Sequence, residues 1–184
     1  MKQFFGWLAT AATLTFTLPG AANQSDPRLN DLFVRLKAAE NPIESRFIEQ
    51  AIWQIWLESG NDTADRFMAL GLEAMAAQEF DDAVEAFDEI VRIAPGFAEG
   101  WNKRATVNYL RGDLAASLAD IDRVLALEPR HFGALSGRGL VNLALGREEA
   151  ALAAFDAALA VYPNLQGRDT HIRELREKLR GRGI

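Results

Sequence analysis

Two arginines and one aspartate are the residues here whose spacing suggests a built charged site. Arg104 and Arg138 stand at equivalent places in two similar, adjacent stretches, and Asp120 lies between them in the chain. A guanidinium set among apolar residues needs a partner. The structural reading is an Arg104–Asp120–Arg138 bridge. The functional reading is an anion site for the carboxylate of a partner. Other chemistry is scarce. The absence of Cys excludes disulfides, thiolate zinc sites, thiol nucleophiles and a lipid-modified N-terminal Cys. The histidines, His131 and His171, leave little for a His-based metal site, so neither metal nor cofactor is expected. His131 stands at a turn with Glu128 and Arg130, and no Ser or carboxylate pair accompanies it in a recognisable motif. It reads as a solvated turn residue, and no catalytic residue is assigned. Gly137 and Gly139, in SGRGL, fall inside a helical pattern where close packing accounts for them.

The elements that position these residues show themselves by repetition. Pro95, Pro129 and Pro163 recur at intervals of about 34 residues. The same interval relates Gly112 to Gly146, and it relates Phe67, Trp101 and Leu135. Phe87, Ile121 and Phe155 follow it too. Such a period marks a solenoid of helix pairs, each burying its apolar face only against a neighbour. Gly112 and Gly146 would close the first helix of a pair in the left-handed conformation. Asp113 would cap the helix that follows, and each Pro would end the second helix. Ala83, Ser117 and Ala151 are small, so paired helices approach closely.

These residues resemble a tetratricopeptide repeat (TPR) array. Repeat one, residues 64–97, supplies Phe67, Leu70, Gly71, Ala83, Phe87 and Pro95. Repeat two, 98–131, supplies Trp101, Ala105, Gly112, Ser117, Ile121 and Pro129. Repeat three, 132–165, supplies Leu135, Gly139, Gly146, Ala151, Phe155, Ala158 and Pro163. Departures are Gln78 for the turn Gly, Arg104 and Arg138 for the usual Leu, and Ile90 and Val124 at a normally small site. The resemblance implies an all-α, right-handed superhelical solenoid that binds a peptide or helix of a partner protein on its concave face. It also favours the structural reading of the arginines, because Arg at this place with Asp later in the unit is a variant of the family.

That face comes mainly from the first helix of each pair. By position it includes Met68, Leu72, Met75, Asn102, Thr106, Tyr109, Ser136, Leu140 and Leu143. It is mostly apolar, with a polar spot at Asn102 and Thr106, and its Met and Tyr residues are adaptable contacts. The family's clamp for acidic chaperone tails uses Lys and Asn, where this chain has Met68, Leu72 and Gly137, so that ligand is not expected.

The flanks differ from the repeats. Residues 1–22 carry Lys2, an apolar run from Phe4 to Leu18, then Pro19, Gly20 and two alanines. This is a secretory signal pattern, too short for the roughly 20 residues that span a bilayer. The chain is therefore expected to be exported, to the periplasm if bacterial, with no stable membrane insertion after cleavage; the alternative is an uncleaved anchor. Residues 23–63 read as a helix pair, a degenerate repeat that caps the first end of the stack by continuing its register. Residues 166–184 read as a capping helix with Ile172, Leu175 and Leu179 along one edge. The segments IEQAIWQIW, WNKRAT and LEPRHFGAL are similar to those of short exported bacterial TPR proteins, which adds localisation and not mechanism.

A net charge of −6 argues against a nucleic-acid surface, which needs a basic field. The expected function is a non-catalytic protein-interaction module or scaffold. The alternative is a structural protein that self-assembles through its repeat ends as a homo-oligomer. An enzyme is the remaining class, and no acid–base pair stands at motif spacing to support it.

Overall fold

The computed structural model describes residues 23–167 and 169–181, and every regular element among them is helical. A 3-10 turn at Asn23–Ser25 leads into α1 (Arg28–Ala38) and α2 (Pro42–Leu57). Three helix pairs follow: α3 (Asp62–Ala77) with α4 (Phe80–Ile93), α5 (Ala98–Leu110) with α6 (Leu114–Leu127), and α7 (Phe132–Ala144) with α8 (Glu148–Val161). The last element is α9 (Asp169–Gly181).

Side chains and backbone set these boundaries locally. Asn41 accepts from the backbone N–H groups of Ile43 and Glu44, ahead of Pro42 in the first turn. Asn61 caps α3 in the same way, and Asp113 accepts from the Ala116 N–H at the start of α6. Gly112 and Gly146 close their helices at φ of 82° and 71°. Gln78 adopts φ 62° at the equivalent turn of the first pair, where a side chain costs about 1–2 kcal/mol. The turn thus survives the loss of its glycine.

Within each pair one large and one small residue are matched. A methyl added to Gly71 would meet the Phe87 ring at 2.5 Å, and one added to Gly139 would fall against the ring of Phe155. In the middle pair Ala105 replaces the Gly and Ile121 replaces the Phe, so the summed volume is kept. Phe87, Phe155 and Ile121 are all buried. The Ser117 hydroxyl donates to the Ala105 carbonyl at 2.8 Å, which ties α6 to α5.

Between pairs, α4 packs on α5, α6 on α7 and α8 on α9. An acidic residue on the second helix meets an arginine of the next layer each time. Asp88 binds Arg104 at 2.6 Å, Asp122 binds Arg138, and Asp156 binds Arg176 of α9 at 2.6 Å. α9 therefore meets α8 as the first helix of a further pair would. Its Ile172 and Leu175 join the core around Ala151 and Phe155.

The N-terminal helices do not continue the stack in front of repeat one. They fold back on the later layers. Leu29, Phe33 and Leu36 of α1, with Ile48, Ile52, Ile55 and Trp56 of α2, form one core with Phe132 and Tyr162. Arg130 Nη1 donates to Asn30 at 2.9 Å, the Tyr162 hydroxyl to Glu49 at 3.1 Å, and Asn164 to the Ala39 carbonyl at 2.9 Å. Burial and the neighbouring Glu49 push the Tyr162 hydroxyl up to about 12. Gln24 reaches the Gly96 carbonyl. Gly60, at φ 69°, and the Asn61 cap turn the chain between α2 and α3, where the repeats carry a Pro. The aromatic pocket at Phe132 accepts the apolar stripe of α2, whereas the outer face of α3 and α4 is rimmed with carboxylates that Glu44 and Glu49 would oppose. Among the described residues no helix is long and apolar enough to cross a membrane. The signal segment expected at residues 1–22 lies outside them.

Candidate binding cleft

α5, α6 and α7 enclose an open cleft of about 160 Å³. Asn102, Thr106 and Tyr109 line it from α5, which carries them at intervals that share one helical face. Gly133, Gly137 and Leu140 line it from α7, and Ser117 and Ile121 of α6 close its floor. Thr106 is exposed, and its hydroxyl donates to the Asn102 carbonyl at 2.9 Å. Tyr109 and Leu140 are half-buried. Gly133 is covered by the Trp53 ring of α2, which a methyl added there would meet at 3.0 Å, so the cleft is bounded on that side by the N-terminal helices.

Nine positions are expected to form one groove, and the structure divides them. Asn102, Thr106, Tyr109 and Leu140 converge on the cleft. Leu72 is exposed elsewhere on α3. Met68 is buried in the core with Phe87, Ile90 and Val107, and Met75 packs against that core. Ser136 is buried, and Leu143 lies beside Leu175 under α9. Met68 and Ser136 point inward because the first helix of each pair is covered on most sides, and only a narrow strip stays open.

The charged bridge is also divided. Arg104 Nε and Nη2 hold Asp120 at 2.9 and 2.6 Å, and Asn108 donates to the same carboxylate at 3.2 Å. Arg138 pairs with Asp122 and not with Asp120. Asp120 turns inward to α5, while Asp122, further along α6, faces the next layer. Arg104 stacks on Trp101 at 4.9 Å, and Arg123 lies over the same ring at 5.4 Å. Both Arg104 and Arg138 are therefore committed to carboxylates of this chain.

His131 is not solvated. It is 0% exposed, and Trp56 stacks on it at 4.1 Å with the rings 5° from parallel. Its Nδ1 accepts the Ala134 N–H and so caps α7. Nε2 therefore carries the proton and donates to Glu99 Oε2 at 3.0 Å. Glu99 is 1% exposed and accepts from Asn102 at 3.0 Å, and Lys103 Nζ stands 2.8 Å from its other oxygen. Burial pushes the Glu99 carboxyl up, but the His131 bond and the Lys103 charge outweigh it and hold the group below its ordinary value. Lys103 also lies over the Trp53 ring at 5.6 Å. Both imidazole nitrogens are engaged, so this Glu–His pair has none free to take a proton from a nucleophile. Among the described residues no cluster of His, Asp and Glu could hold a metal ion.

Sequence comparison agrees with this geometry. The tetratricopeptide repeat family model matches residues 68–125 and 111–165. This chain belongs to the tetratricopeptide repeat family. A TPR repeat-containing protein of Rhizobium etli is 34% identical over 175 residues, 94% of this chain and 86% of that one. The Arabidopsis OM64 TPR domain superposes with a TM-score of 0.62 at 19% identity, covering 64% of this chain and 97% of that domain. The first TPR domain of Spaghetti (RPAP3), bound to the HSP90 peptide SRMEEVD, superposes at 0.61 with 20% identity, covering 64% of this chain and 93% of that one. At such identities these likenesses show the fold alone. TPR domains are typically protein- and peptide-binding modules, and TPR proteins are generally non-catalytic scaffolds.

Proposed function

We propose that this TPR protein is an exported scaffold that holds a peptide or helix of a partner in the cleft between α5 and α7. The open cleft itself carries the reading: its exposed wall offers Tyr109, Thr106 and Leu140 on rigid helices. Tyr is a frequent interface anchor, since its large ring orders at little entropic cost. Arg104 and Arg138 supply no free clamp for a carboxylate, because Asp120, Asp88 and Asp122 already occupy them. The ligand is therefore expected to be an apolar peptide or helix and not an acidic tail.

Selection of binders from a random peptide library tests this. Tyr109→Ala should weaken the selected peptides by about 2 kcal/mol, or roughly thirtyfold, with the urea melt unchanged. Normal binding by Tyr109→Ala, or its unfolding, sinks the cleft as the working surface. Export is a separate part of the proposal and rests on the pattern of residues 1–22. Intact mass of the protein from its native compartment should lack that segment. A full-length mass overturns cleavage.

A further inference from the structure

A second surface lies at the first end of the stack. α3 and α4 border a groove of about 830 Å³ there. Phe67, Leu70, Ala74 and Ala77 form its apolar floor, and Leu70 is 56% exposed. In the later layers the same slot is filled by a helix. α4 fills it against α5, where Ile90 packs on Gly100, Asp88 binds Arg104 and Asp81 binds Arg111 at 2.9 Å. α6 fills it against α7, with Asp122 on Arg138. At the first end no helix among the described residues occupies it, because α1 and α2 dock on the later layers.

The chemistry of the walls is inverted at this one slot. Leu70 and Ala77 stand one period before Arg104 and Arg111, so the cations that receive an acidic helix are missing. On α4, Asp82, Glu85 and Glu89 stand one period before Ala116, Ala119 and Arg123. Glu73 and Glu79 complete an acidic rim around the apolar floor, in which Glu89 is already bound by Arg92 of the same helix. The interior slots take helices that present Asp. This slot suits a helix that presents Lys and Arg.

We propose that the α3–α4 slot docks an amphipathic helix of a partner protein, with an apolar stripe flanked by Lys and Arg. The apolar floor covers the stripe, and the carboxylates meet the flanks. The described helices of this chain do not fit the part. α1 carries Arg28, Arg35 and Lys37, but its stripe of Leu29, Phe33 and Leu36 is buried in the core with α2, Phe132 and Tyr162. α2 carries Glu44 and Glu49, with Arg46 its sole cation. α9 is basic, but its stripe of Ile172, Leu175 and Leu179 is buried on its own last repeat, so a second copy has none to offer.

Two synthetic helices with the same Leu stripe, one flanked by Lys and one by Glu, serve as probes on the full chain. In fluorescence anisotropy the Lys-flanked helix should bind, and the Glu-flanked helix should bind at least about tenfold more weakly. Leu70→Asn, and the pair Glu73→Gln with Glu85→Gln, should each weaken the Lys-flanked helix about tenfold with melts unchanged. Tyr109→Ala should leave it unaffected, which separates this slot from the cleft. Equal binding of both probes overturns the proposal, as does full binding by Leu70→Asn. Loss of the probe on Tyr109→Ala places it in the cleft and overturns the slot. Concentration-dependent self-association that Leu70→Asn abolishes assigns the slot to a second copy and also overturns it.

Discussion

Replacing Trp56 with Ala is expected to destabilise the protein by about 3–5 kcal/mol, the range for truncating a buried aromatic. Trp56 is 2% exposed and touches four rings. It stacks on His131, meets Trp53 edge-on at 5.3 Å, and tilts against Phe132 at 5.1 Å and Phe33 at 5.8 Å. Its removal opens a cavity between α2 and α7 and uncovers the Glu99–His131 pair. A urea melt reads the total loss. Amide exchange should rise first in α1 and α2, while α3 and α4 keep their protection. A loss under about 1 kcal/mol would show that the ring stack does not hold the N-terminal helices in place.

Glu99→Ala should cost a similar amount, about 3–5 kcal/mol, because it strips a buried proton donor and a nearby cation of their shared partner. His131 Nε2 would lose its acceptor in a site without solvent, and Lys103 would lose the carboxylate 2.8 Å away. Glu99 also makes stability depend on pH. Its carboxyl is held below the ordinary value in the folded state, where the His131 bond and the Lys103 charge outweigh burial. Its contribution is complete above the unfolded-state value of about 4.3 and is lost as pH falls through the lower folded-state value. Glu99→Gln should remove that part of the acid sensitivity. Urea melts between neutral pH and acid, on both proteins, check this. An unchanged pH profile in Glu99→Gln would show that other carboxylates set the acid limit.

The repeat fold was legible because each repeat declares its packing locally. The exchange of Gly71 and Phe87 for Ala105 and Ile121, and back to Gly139 and Phe155, can be read one period at a time. Arg104 with Asp120 was legible for the same reason: both lie in one repeat and must face each other. Arg138 meets a different aspartate from the one its spacing suggests, since a pair between layers depends on the rotation from one layer to the next, which periodicity alone does not give. The site around His131 was not legible. A turn position implies solvent, and the element that covers His131 is α2, far earlier in the chain. Nothing in the local pattern of Trp53 and Trp56 says which distant surface their stripe will meet. The same blindness applies to α1 and α2 as a whole, whose apolar spacing fits a repeat while Glu44 and Glu49 of α2 oppose the acidic surface of α3 and α4.

A stack of repeats ordinarily has only nearest-neighbour contacts, so its free energy is a sum over layers and its ends fray independently. The fold-back of α1 and α2 removes that independence. Its hydrogen bonds join residues 100, 113 and 125 apart, reaching Arg130, Tyr162 and Asn164. The last repeat cannot open without releasing the first helices, so the array unfolds in larger cooperative units than its layers alone would. The gain has a kinetic side. Contacts within and between adjacent layers close short loops and form early, whereas docking α1 and α2 closes longer loops, from Trp53 to Lys103 up to Ala39 to Asn164, at greater entropic cost. The repeats are thus the fast-folding part, and the N-terminal helices lock them last.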